Sequence, residues 1–442
     1  MGEDTARSRL SRPQLVDIEP AASLRGALRV PGDKSISHRA LLVGAVCEGE
    51  TVVRGFGRSL DTESTLAAVR ALGVVVDDEG PDLLRVHGVG LAGLDEPAGP
   101  IDCGNAGTLA RLLPGLLAGQ PGRRFELTGD DSLRSRPMER IAGPLRLMGS
   151  QVETTDGCLP LAIEGRALSG IEHEPEVPSA QVKSCVLLAG LLAAGSTTVV
   201  EPVATRDHTE RMLRAAGAVV TAGSGRISVT IADRLSLDEV EVPGDFSAAA
   251  PFVVAATLLP GSELILQGVG VNSTRTGLLD ALERMGARVS VFNRRSQSGE
   301  PVADLEVAHA ELVATEIGAR DVPRMIDELP LFCLAASMAR GTSRVQGAAD
   351  LRAKESDRIE SVASGLRSIG ARVRPTPDGY TIRGVPARPR GGEIDGSEDH
   401  RVAMLAAVAG VVSQEGVRVR GAEAAAVSFP GFYELLDSLA SR

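Results

Sequence analysis

The sequence has few aromatic side chains and no surplus of positive charge. Phenylalanine, tyrosine and tryptophan together make up 2% of its 442 residues, tryptophan is absent, and the net charge is −11. Base stacking on nucleic acids needs aromatic faces, and duplex binding needs a basic surface. We therefore expect no nucleic-acid partner, although a local cluster of cations could still hold a small anion.

Paired cysteines and long apolar runs are also missing. The five cysteines form no CxxC pair, which argues against a disulfide framework and a structural zinc site and fits a reducing compartment. The first thirty residues lack the apolar core of a secretory signal, and runs such as residues 186–194 are too short to cross a bilayer. A cytoplasmic protein without membrane association is expected.

Lysine is nearly absent. Of 47 basic residues only three are lysines, Lys34, Lys183 and Lys354, and the rest are arginines. A lysine kept in such a chain indicates a task that needs a compact ammonium with an adjustable pKa. A compositional bias with three chance survivors explains the count equally well.

A pattern of about 70 residues recurs six times along the chain. Each copy has a polar or glycine-containing start, an apolar helix, a glycine turn and a β-branched strand, and copies start at Pro31, Asp102, Val177, Val242, Asp321 and Asp395. A second helix ending at glycine lies out of phase, so the unit reads strand–helix–strand–helix–strand–strand. Six such units predict two domains of three units. Buried helices with polar N-termini at one place would favour a phosphate-bearing ligand.

Two of these helix starts contain candidate anion ligands. Lys34, Ser35 and Arg39 stand at the first apolar helix, where ammonium, hydroxyl and guanidinium groups together suit an anion. A helix cap with a solvated lysine is the alternative. Gly107 at the second helix would let a ligand approach the backbone. Arg136 is another cation at a helix entrance, although any single arginine in this chain could equally lie on the surface.

Later helix starts carry further polar groups. Ser179 could cap the third helix and also donate to a phosphate. Lys183 could neutralise an anion or could be merely structural. Asp327 lies in an acid pair entering the apolar fifth helix, which is costly to bury unless cations partner it. Residues 351–358 hold Lys354 and Glu355 side by side, where each would shift the pKa of the other. An exposed first-turn acid and a solvated charged helix are the respective alternatives.

Eight motifs then carry a resemblance. GDKSISHRAL, GNAGTxxR, GDDSLRSRPM, SAQVKS, GDFSAA, DELPL, LRAKESDR and DHRVAM occur in one order from Pro31 to about Leu439. In order and spacing they resemble the EPSP synthases, a family of enolpyruvyl transferases. The resemblance implies an α/β (α+β) fold, a two-domain inside-out α/β barrel with three βαβαββ repeats per domain. One domain would cover residues 33–243 and the other residues 1–32 with 244–442, with two chain crossings as hinge and the active site in the cleft.

The family's activity and ligands follow as expectations. Its members transfer the carboxyvinyl group of phosphoenolpyruvate to shikimate 3-phosphate in the shikimate pathway, which leads to chorismate and the aromatic amino acids. The resemblance implies no metal and no redox cofactor, and we expect a monomer. It implies catalytic roles for Asp327, Glu355, Lys34 and Lys354. It places phosphoenolpyruvate at Lys34, Gly107, Arg136, Gln181, Arg358 and Arg401. It places shikimate 3-phosphate at Lys34, Ser35, Arg39, Ser179, Ala180, Gln181, Arg206, Asp327 and Lys354.

The chain departs from part of the family at two places. Residues 427–430 read Val-Ser-Phe-Pro, so a lysine that some members carry there is absent, and RDHTE at residues 206–210 replaces a region that often holds an aromatic residue. Gly107 predicts that glyphosate competes with phosphoenolpyruvate, because tolerant members have alanine there. UDP-N-acetylglucosamine enolpyruvyl transferases are the nearest alternative, but their loop cysteine has no counterpart at Cys103. A non-catalytic binding protein would leave Lys34, Lys354 and Glu355 unexplained.

Overall fold

The computed structural model describes residues 14–396 and 398–442, so residues 1–13 of the predicted second domain lie outside it. The helices are α1 (Lys34–Ala45), α2 (Leu60–Ala71), α3 (Gly107–Leu117), α4 (Asp131–Arg134), α5 (Glu139–Leu147), α6 (Ala180–Gly190), α7 (His208–Ala215), α8 (Phe246–Leu258), α9 (Gly277–Arg284), α10 (Val322–Met325), α11 (Leu329–Ser337), α12 (Arg358–Ser368), α13 (His400–Val412) and α14 (Phe432–Leu439). Short 3₁₀ turns cover Ala349–Ala353 and Ala422–Val427.

The strands alternate with these helices. They are β1 (Leu15–Ile18), β2 (Ser23–Leu28), β3 (Glu48–Arg54), β4 (Val75–Asp78), β5 (Leu83–Val89), β6 (Ile101–Asp102), β7 (Arg124–Thr128), β8 (Gln151–Thr155), β9 (Cys158–Glu164), β10 (Leu168–Ser169), β11 (Glu172–His173), β12 (Ala193–Ala194), β13 (Ser196–Val200), β14 (Val220–Gly223), β15 (Arg226–Thr230), β16 (Glu239–Glu241), β17 (Glu263–Gly270), β18 (Arg288–Gln297), β19 (Glu300–Ala308), β20 (Glu316–Ile317), β21 (Gly341–Val345), β22 (Arg372–Thr376), β23 (Gly379–Gly384), β24 (Gly392–Asp395), β25 (Val417–Arg420) and β26 (Ala440–Ser441).

Most sheets follow one pattern, in which the first two strands of a unit are parallel and the last two are antiparallel. The orders β6-β7-β9-β8, β11-β13-β15-β14 and β20-β21-β23-β22 are the predicted βαβαββ unit. Other units borrow a strand from elsewhere in the chain. The sheet β16-β3-β5-β4 takes its parallel strand from β16, and β24-β25 is completed by the antiparallel N-terminal β1. Each borrowed strand joins distant parts of the chain.

The apolar side chains form two separate clusters. One joins residues 36–242 around α1, α3 and α6, and the other joins residues 21–30 to residues 246–439 around α8, α11 and α13. We call the two parts the first lobe and the second lobe. Every residue of α8 and of α13 is buried, as their all-round apolar sequences predict. This division supports the predicted domain limits, which remain a proposal.

The two chain crossings between the lobes run side by side. Gly32 and Gly244 form an antiparallel bridge, and each crossing donates a backbone hydrogen bond of 2.8 Å to the other, from Asp33 to Pro243 and from Asp245 to Pro31. A Cβ atom on Gly32 would lie 1.8 Å from the carbonyl oxygen of Gly55, so the close approach requires glycine there. The crossings therefore bring the N-termini of α1 and α8 together.

Among the described residues, no helix has both the length and the apolar character that crossing a bilayer requires.

Candidate active site

Helix N-termini from both lobes open onto one cavity of about 130 Å³. Side-chain caps fix several of these starts: Asp33 accepts from the backbone of Ile36 in α1, and Asp399 accepts from Arg401 in α13. Aspartate is a favoured N-cap because its carboxylate satisfies backbone N–H groups that lack a partner in the first turn. The capped N-termini orient their dipoles towards the cavity and favour anions there.

All of the residues that the sequence analysis assigned to a site line this cavity. They are Lys34, Ser35, Arg39, Gly107, Arg136, Ser179, Ala180, Gln181, Arg206, Asp327, Lys354, Glu355, Arg358 and Arg401. Their individual roles remain predictions, but they are gathered from both lobes into one place.

Six further charged side chains line the cavity and were given no role from sequence. They are Asp61, Arg111, Arg140, Asp245, Arg275 and Asp350. Asp245 could have been found from the repeat, because VPGD at residues 242–245 matches VPGD at residues 30–33. Asp350 precedes Lys354 by one helical turn and is 2.9 Å from its Nζ. Arg275 belongs to no motif that we recognised.

Asp327 is surrounded by guanidinium groups. Its carboxylate lies 2.5 Å from Arg206 Nη2 of the first lobe, 3.4 Å from Arg358 Nη1 and 4.0 Å from Arg401 Nη2. Burial would raise the pKa of Asp327, but the charges of Arg206 and Arg401 outweigh it and hold that pKa well below its usual range. In the ligand-free cavity Asp327 is thus an ionised, weakly basic carboxylate.

Glu355 has a similar environment. Its carboxylate contacts Arg358 Nη2, and its Oε1 lies 3.4 Å from Arg136 Nη1 of the first lobe. Burial would raise the pKa of Glu355, but Arg358 above all keeps it well below the usual value. Arg358 therefore joins the two predicted proton-transfer groups, because it contacts both carboxylates. It also binds Asp399 through its Nε at 2.8 Å.

The acid pair before α11 is not an exposed first-turn feature. Helix α11 begins at Leu329, so Asp327 and Glu328 precede it rather than lie within it. Glu328 is fully buried, and Arg275 Nη1 binds both of its oxygens at 3.0 and 3.1 Å. Arg275 also lies 3.3 Å from Asp245. Both acids therefore have the cationic partners that the sequence interpretation required.

The three lysines divide into two kinds. Lys34 lies 2.7 Å from Asp61, Lys354 lies 2.9 Å from Asp350, and both line the cavity. Lys183 is 1% exposed and lies outside the cavity lining. Its Nζ is held by Glu201 at 2.9 Å and by Glu210, in α7, at 2.7 Å. Of the two possibilities left open for Lys183, these contacts favour the core role.

Among the described residues, two cavity guanidiniums bind only neutral oxygens. Arg39 donates to Thr209 Oγ1 at 2.7 Å, to Ser184 Oγ at 2.8 Å and to a backbone carbonyl at 2.9 Å. Arg111 donates to Gln181 Oε1 at 3.2 Å and to the carbonyls of Gly107 and Pro137 at 3.4 and 3.5 Å. Burial lowers the pKa of each to about 10. Both groups are placed to accept an anion without first losing a carboxylate partner.

The cavity composition indicates chemistry by charge and proton transfer. Among residues 14–396 and 398–442, no cluster of three or more His, Cys, Asp or Glu side chains could hold a metal ion. Cys103 is buried, its thiol pKa is raised by burial, and it does not line the cavity. The described cavity therefore offers carboxylates, ammonium groups and guanidiniums rather than a thiol.

Solved structures define the class of protein. The enolpyruvyl transferase NikO from Streptomyces tendae shares the fold with a TM-score of 0.78 over 97% of both chains, at 20% identity. An EPSP synthase structure from Acinetobacter baumannii gives a TM-score of 0.86 at 43% identity, covering 97% of this chain and 98% of that one. The architecture is that of the enolpyruvyl transferases, and the predicted fold class is confirmed.

Sequence comparisons narrow the class to one family. The family model described as EPSP synthase (3-phosphoshikimate 1-carboxyvinyltransferase) matches residues 18–436. A protein named 3-phosphoshikimate 1-carboxyvinyltransferase from Geobacter sp. (strain M21) is 50% identical over 96% of this chain and 99% of its own length. Another with that name, from Synechococcus sp. (strain JA-3-3Ab), is 47% identical over 97% of each chain. The chain belongs to the EPSP synthase family.

Proposed function

We propose that this chain transfers the enolpyruvyl group of phosphoenolpyruvate to the 5-hydroxyl of shikimate 3-phosphate and releases phosphate. Beside the family match, the observation that carries the proposal is the charge of the cavity. Its described lining has ten cationic side chains and five carboxylates, in a chain whose net charge is −11. The two phosphates and two carboxylates of the substrates together carry about five to six negative charges. This is close to the surplus of five positive charges in the cavity lining.

The shikimate 3-phosphate site is proposed around α1, α6 and the start of α7. Arg39 lies in the second turn of α1, Ser179 is the N-cap of α6, and Arg206 lies just before α7; all three line the cavity. Arg39 has only neutral partners, so a phosphate there would form charge-assisted hydrogen bonds without displacing a carboxylate. Ser35, Ala180, Gln181, Lys34, Lys354 and Asp327 complete the proposed set.

Phosphoenolpyruvate is proposed to lie between Gly107 of the first lobe and α12 and α13 of the second. Arg136 and Arg358 would contact its anionic groups from opposite lobes, and each now contacts Glu355. Lys34, Gln181 and Arg401 line the same part of the cavity. Binding would thus replace protein carboxylates by substrate anions as partners of the same guanidiniums.

The reaction needs two proton-transfer groups and a clamp for phosphate charge. Glu355, assisted by Lys354, would protonate the methylene carbon of phosphoenolpyruvate, while Asp327 takes the proton of the 5-hydroxyl, whose oxygen attacks the carboxyvinyl carbon. In the tetrahedral adduct, Glu355, now a carboxylate, would take back a methyl proton while the bond from carbon to the phosphate oxygen breaks, which restores the double bond and releases phosphate. Guanidiniums and Lys34 would stabilise the charge that accumulates on the departing phosphate.

Substrate binding also tunes the two acids. The guanidiniums keep the pKa of Asp327 and of Glu355 low, which suits neither a base nor an acid near neutral pH. When the substrate anions engage Arg206 and Arg358, their positive charge is shared and both pKa values rise towards the working range. The acids are therefore activated only when the anions are in place.

The decisive assay measures phosphate release from phosphoenolpyruvate with each acceptor. We expect release with shikimate 3-phosphate and none with UDP-N-acetylglucosamine, and the reverse would overturn the proposal. Glu355→Gln should lower kcat by about 10²–10⁴-fold and retain shikimate 3-phosphate binding in calorimetry. Glu360→Gln is the matched control, because Glu360 lies in the first turn of α12 and pairs with Arg352 at 3.6 Å.

Domain limits, oligomeric state and location are part of the same proposal. We propose that residues 33–243 and residues 1–32 with 244–442 form the two domains that close on the substrates, that the chain is a monomer, and that it acts in the cytoplasm without a cofactor. The separate cores and the free thiols of the described residues support this. A dimer in light scattering at assay concentration would contradict the monomer.

A further inference from the structure

Three consecutive side chains bind the opposite lobe. Arg206 of the first lobe lies 2.5 Å from Asp327 of the second. Asp207 Oδ1 accepts a hydrogen bond of 2.6 Å from Asn272 Nδ2, and His208 Nδ1 lies 2.8 Å from Glu300 Oε1. The whole turn that leads into α7 is therefore attached to the second lobe.

The contacts of Asp207 and of His208 are joined into a ring of four side chains, Asp207, Asn272, Glu300 and His208. Asn272 Nδ2 also donates to Glu300 Oε2 at 3.1 Å, so a single amide bridges the carboxylates of Asp207 and Glu300. Asn272 and His208 are each 2% exposed. Arg211, one turn further along α7, binds Asp207 at 2.9 Å and donates to the carbonyl of Gly299 at 2.8 Å. His208 takes part through Nδ1, since its Nε2 is buried without a hydrogen-bond partner among the described residues.

The ring does not belong to the substrate cavity. None of Asp207, His208, Asn272 and Glu300 is among its described lining residues, whereas the adjacent Arg206 is. Burial would raise the pKa of Glu300, but His208 and Asn272 hold it below the usual value, so the carboxylate stays ionised. The RDHTE segment thus combines one cavity residue with two residues that join the lobes.

We propose that Asp207, His208, Asn272 and Glu300 form an interlobe clasp that positions Arg206 for the reaction. This inference rests on the proposed function of the cavity. Arg206 must leave Asp327 when it binds a substrate anion, which removes one of the three interlobe contacts at this turn. The clasp makes no use of substrate, so it persists and holds the lobes in register while Asp327 becomes free to act as base. The four side chains are positioning residues.

The test compares His208→Ala with His87→Ala. His87 Nε2 lies 2.8 Å from Asp77, a similar contact that stays within the sheet of one lobe. For His208→Ala we expect a larger radius of gyration than the wild type by small-angle X-ray scattering when both substrates are bound, because the closed lobes then lack one of the contacts that join them. We expect kcat to fall by about ten- to a hundredfold, the equivalent of one charged hydrogen bond, with a smaller change in the KM for phosphoenolpyruvate. His87→Ala should match the wild type in all three readouts.

Glu300→Gln provides a second variant that keeps the shape of the ring and removes its charge. It should lower kcat in the same direction, and the effects of His208→Ala and Glu300→Gln should not add in the double variant. Unchanged scattering and kcat, or a lower Tm with unchanged kcat, would overturn the clasp. Wild-type phosphate release is measured alongside. Its absence would refute the proposed function, whereas its presence with additive variants would refute the clasp alone.

Discussion

The cavity contains two kinds of guanidinium group, and they differ in what anion binding must disrupt. Arg206, Arg358 and Arg275 are paired with carboxylates, whereas Arg39 and Arg111 bind only hydroxyl, amide and carbonyl oxygens. The first kind must exchange a protein anion for a substrate anion. The second kind carries a buried charge that, among the described residues, has no carboxylate in direct contact, which is unfavourable until a ligand arrives. We propose that the carboxylate-paired guanidiniums regulate the acids and that the guanidiniums bonded to neutral oxygens supply affinity.

Removing one member of each kind should separate their contributions to stability. Arg275→Met leaves fully buried Glu328 without a cation, so we expect the free energy of unfolding to fall by about 3–5 kcal/mol. Arg39→Met leaves two hydroxyls, Ser184 and Thr209, that already lie 2.7 Å apart and can bond to each other. Its cost should be about 1 kcal/mol or less. Urea unfolding of the ligand-free variants measures both, and equal losses would refute the distinction.

For ligand affinity we expect large losses from the guanidiniums that bind neutral oxygens, although their loss costs little stability. Arg39→Met should weaken shikimate 3-phosphate binding about ten- to a hundredfold, and Arg111→Met should weaken phosphoenolpyruvate binding to a similar extent, because each loses a charge-assisted hydrogen bond. Arg70→Met is the control, since Arg70 also donates to a backbone carbonyl, that of Val76, but lies outside the cavity lining. Calorimetric affinities unchanged by Arg39→Met would contradict a ligand role for the neutral-bonded kind.

For the guanidiniums that are paired with carboxylates we expect a smaller effect, a pH-dependent uptake of protons when substrate binds. The low pKa of Asp327 means that its contribution to stability is complete above its unfolded pKa, about 3.9, and is lost as the pH falls through the lower folded value. If a substrate anion takes over Arg206, the pKa of Asp327 rises, and binding takes up a fraction of a proton at mildly acidic pH. Calorimetry of shikimate 3-phosphate binding in buffers of different ionisation enthalpy measures this.

The comparison with Asp327→Asn isolates the carboxylate, because the protons of the substrate's own phosphate titrate alike in both proteins. We expect the wild type to take up more protons than the variant, because only the wild type has a carboxylate whose pKa rises when a substrate anion takes over Arg206. Equal proton uptake would mean that the guanidinium partners are not exchanged when the substrate binds.

The sequence was sufficient for the repeat and for most of the cavity, for a physical reason. Each unit is local, so helix periodicity and glycine signals lie within one stretch of about 70 residues, and the anion ligands lie at helix starts that the repeat marks. The borrowed strands β16 and β1 were not predicted, because each pairs with a sheet from a distant part of the chain. Their pairing depends on tertiary closure rather than on local pattern.

Partners distant in sequence explain what was missed within the site. Lys183 could not be separated from the cavity lysines, since the glutamates that hold it are 18 and 27 residues away. Arg275 belongs to no motif, and its role depends on Glu328, 53 residues later. Arg111, the last residue of the GNAGTxxR motif, was given no task from sequence, because its lack of a carboxylate partner among the described residues is visible only in three dimensions. Charge pairing across lobes is therefore the part of the site that local sequence patterns convey least.

Gly107→Ala tests the role of Arg111, one of the guanidiniums bonded to neutral oxygens, with the smallest structural change. A Cβ atom at this position would lie 2.8 Å from Arg111 Nη1 and 3.3 Å from Arg136 Nη1. Both contacts are with the mobile ends of side chains, so the fold should tolerate the methyl group while the two guanidiniums move. If glyphosate competes with phosphoenolpyruvate here, its inhibition constant should rise about tenfold or more, since displacing a binding group by 1 Å is costly.

The KM for phosphoenolpyruvate should rise less if the substrate depends more on the remaining cations than the inhibitor does. Gly143→Ala is the matched control, because Gly143 lies in helix α5 of the same lobe and a Cβ there meets nothing within 4 Å. Steady-state inhibition of phosphate release measures both constants. A Gly107→Ala enzyme inhibited as strongly as the wild type would show that Arg111 and Arg136 either do not move or do not hold the anion. The proposed place of phosphoenolpyruvate between Gly107 and α12 would then be wrong.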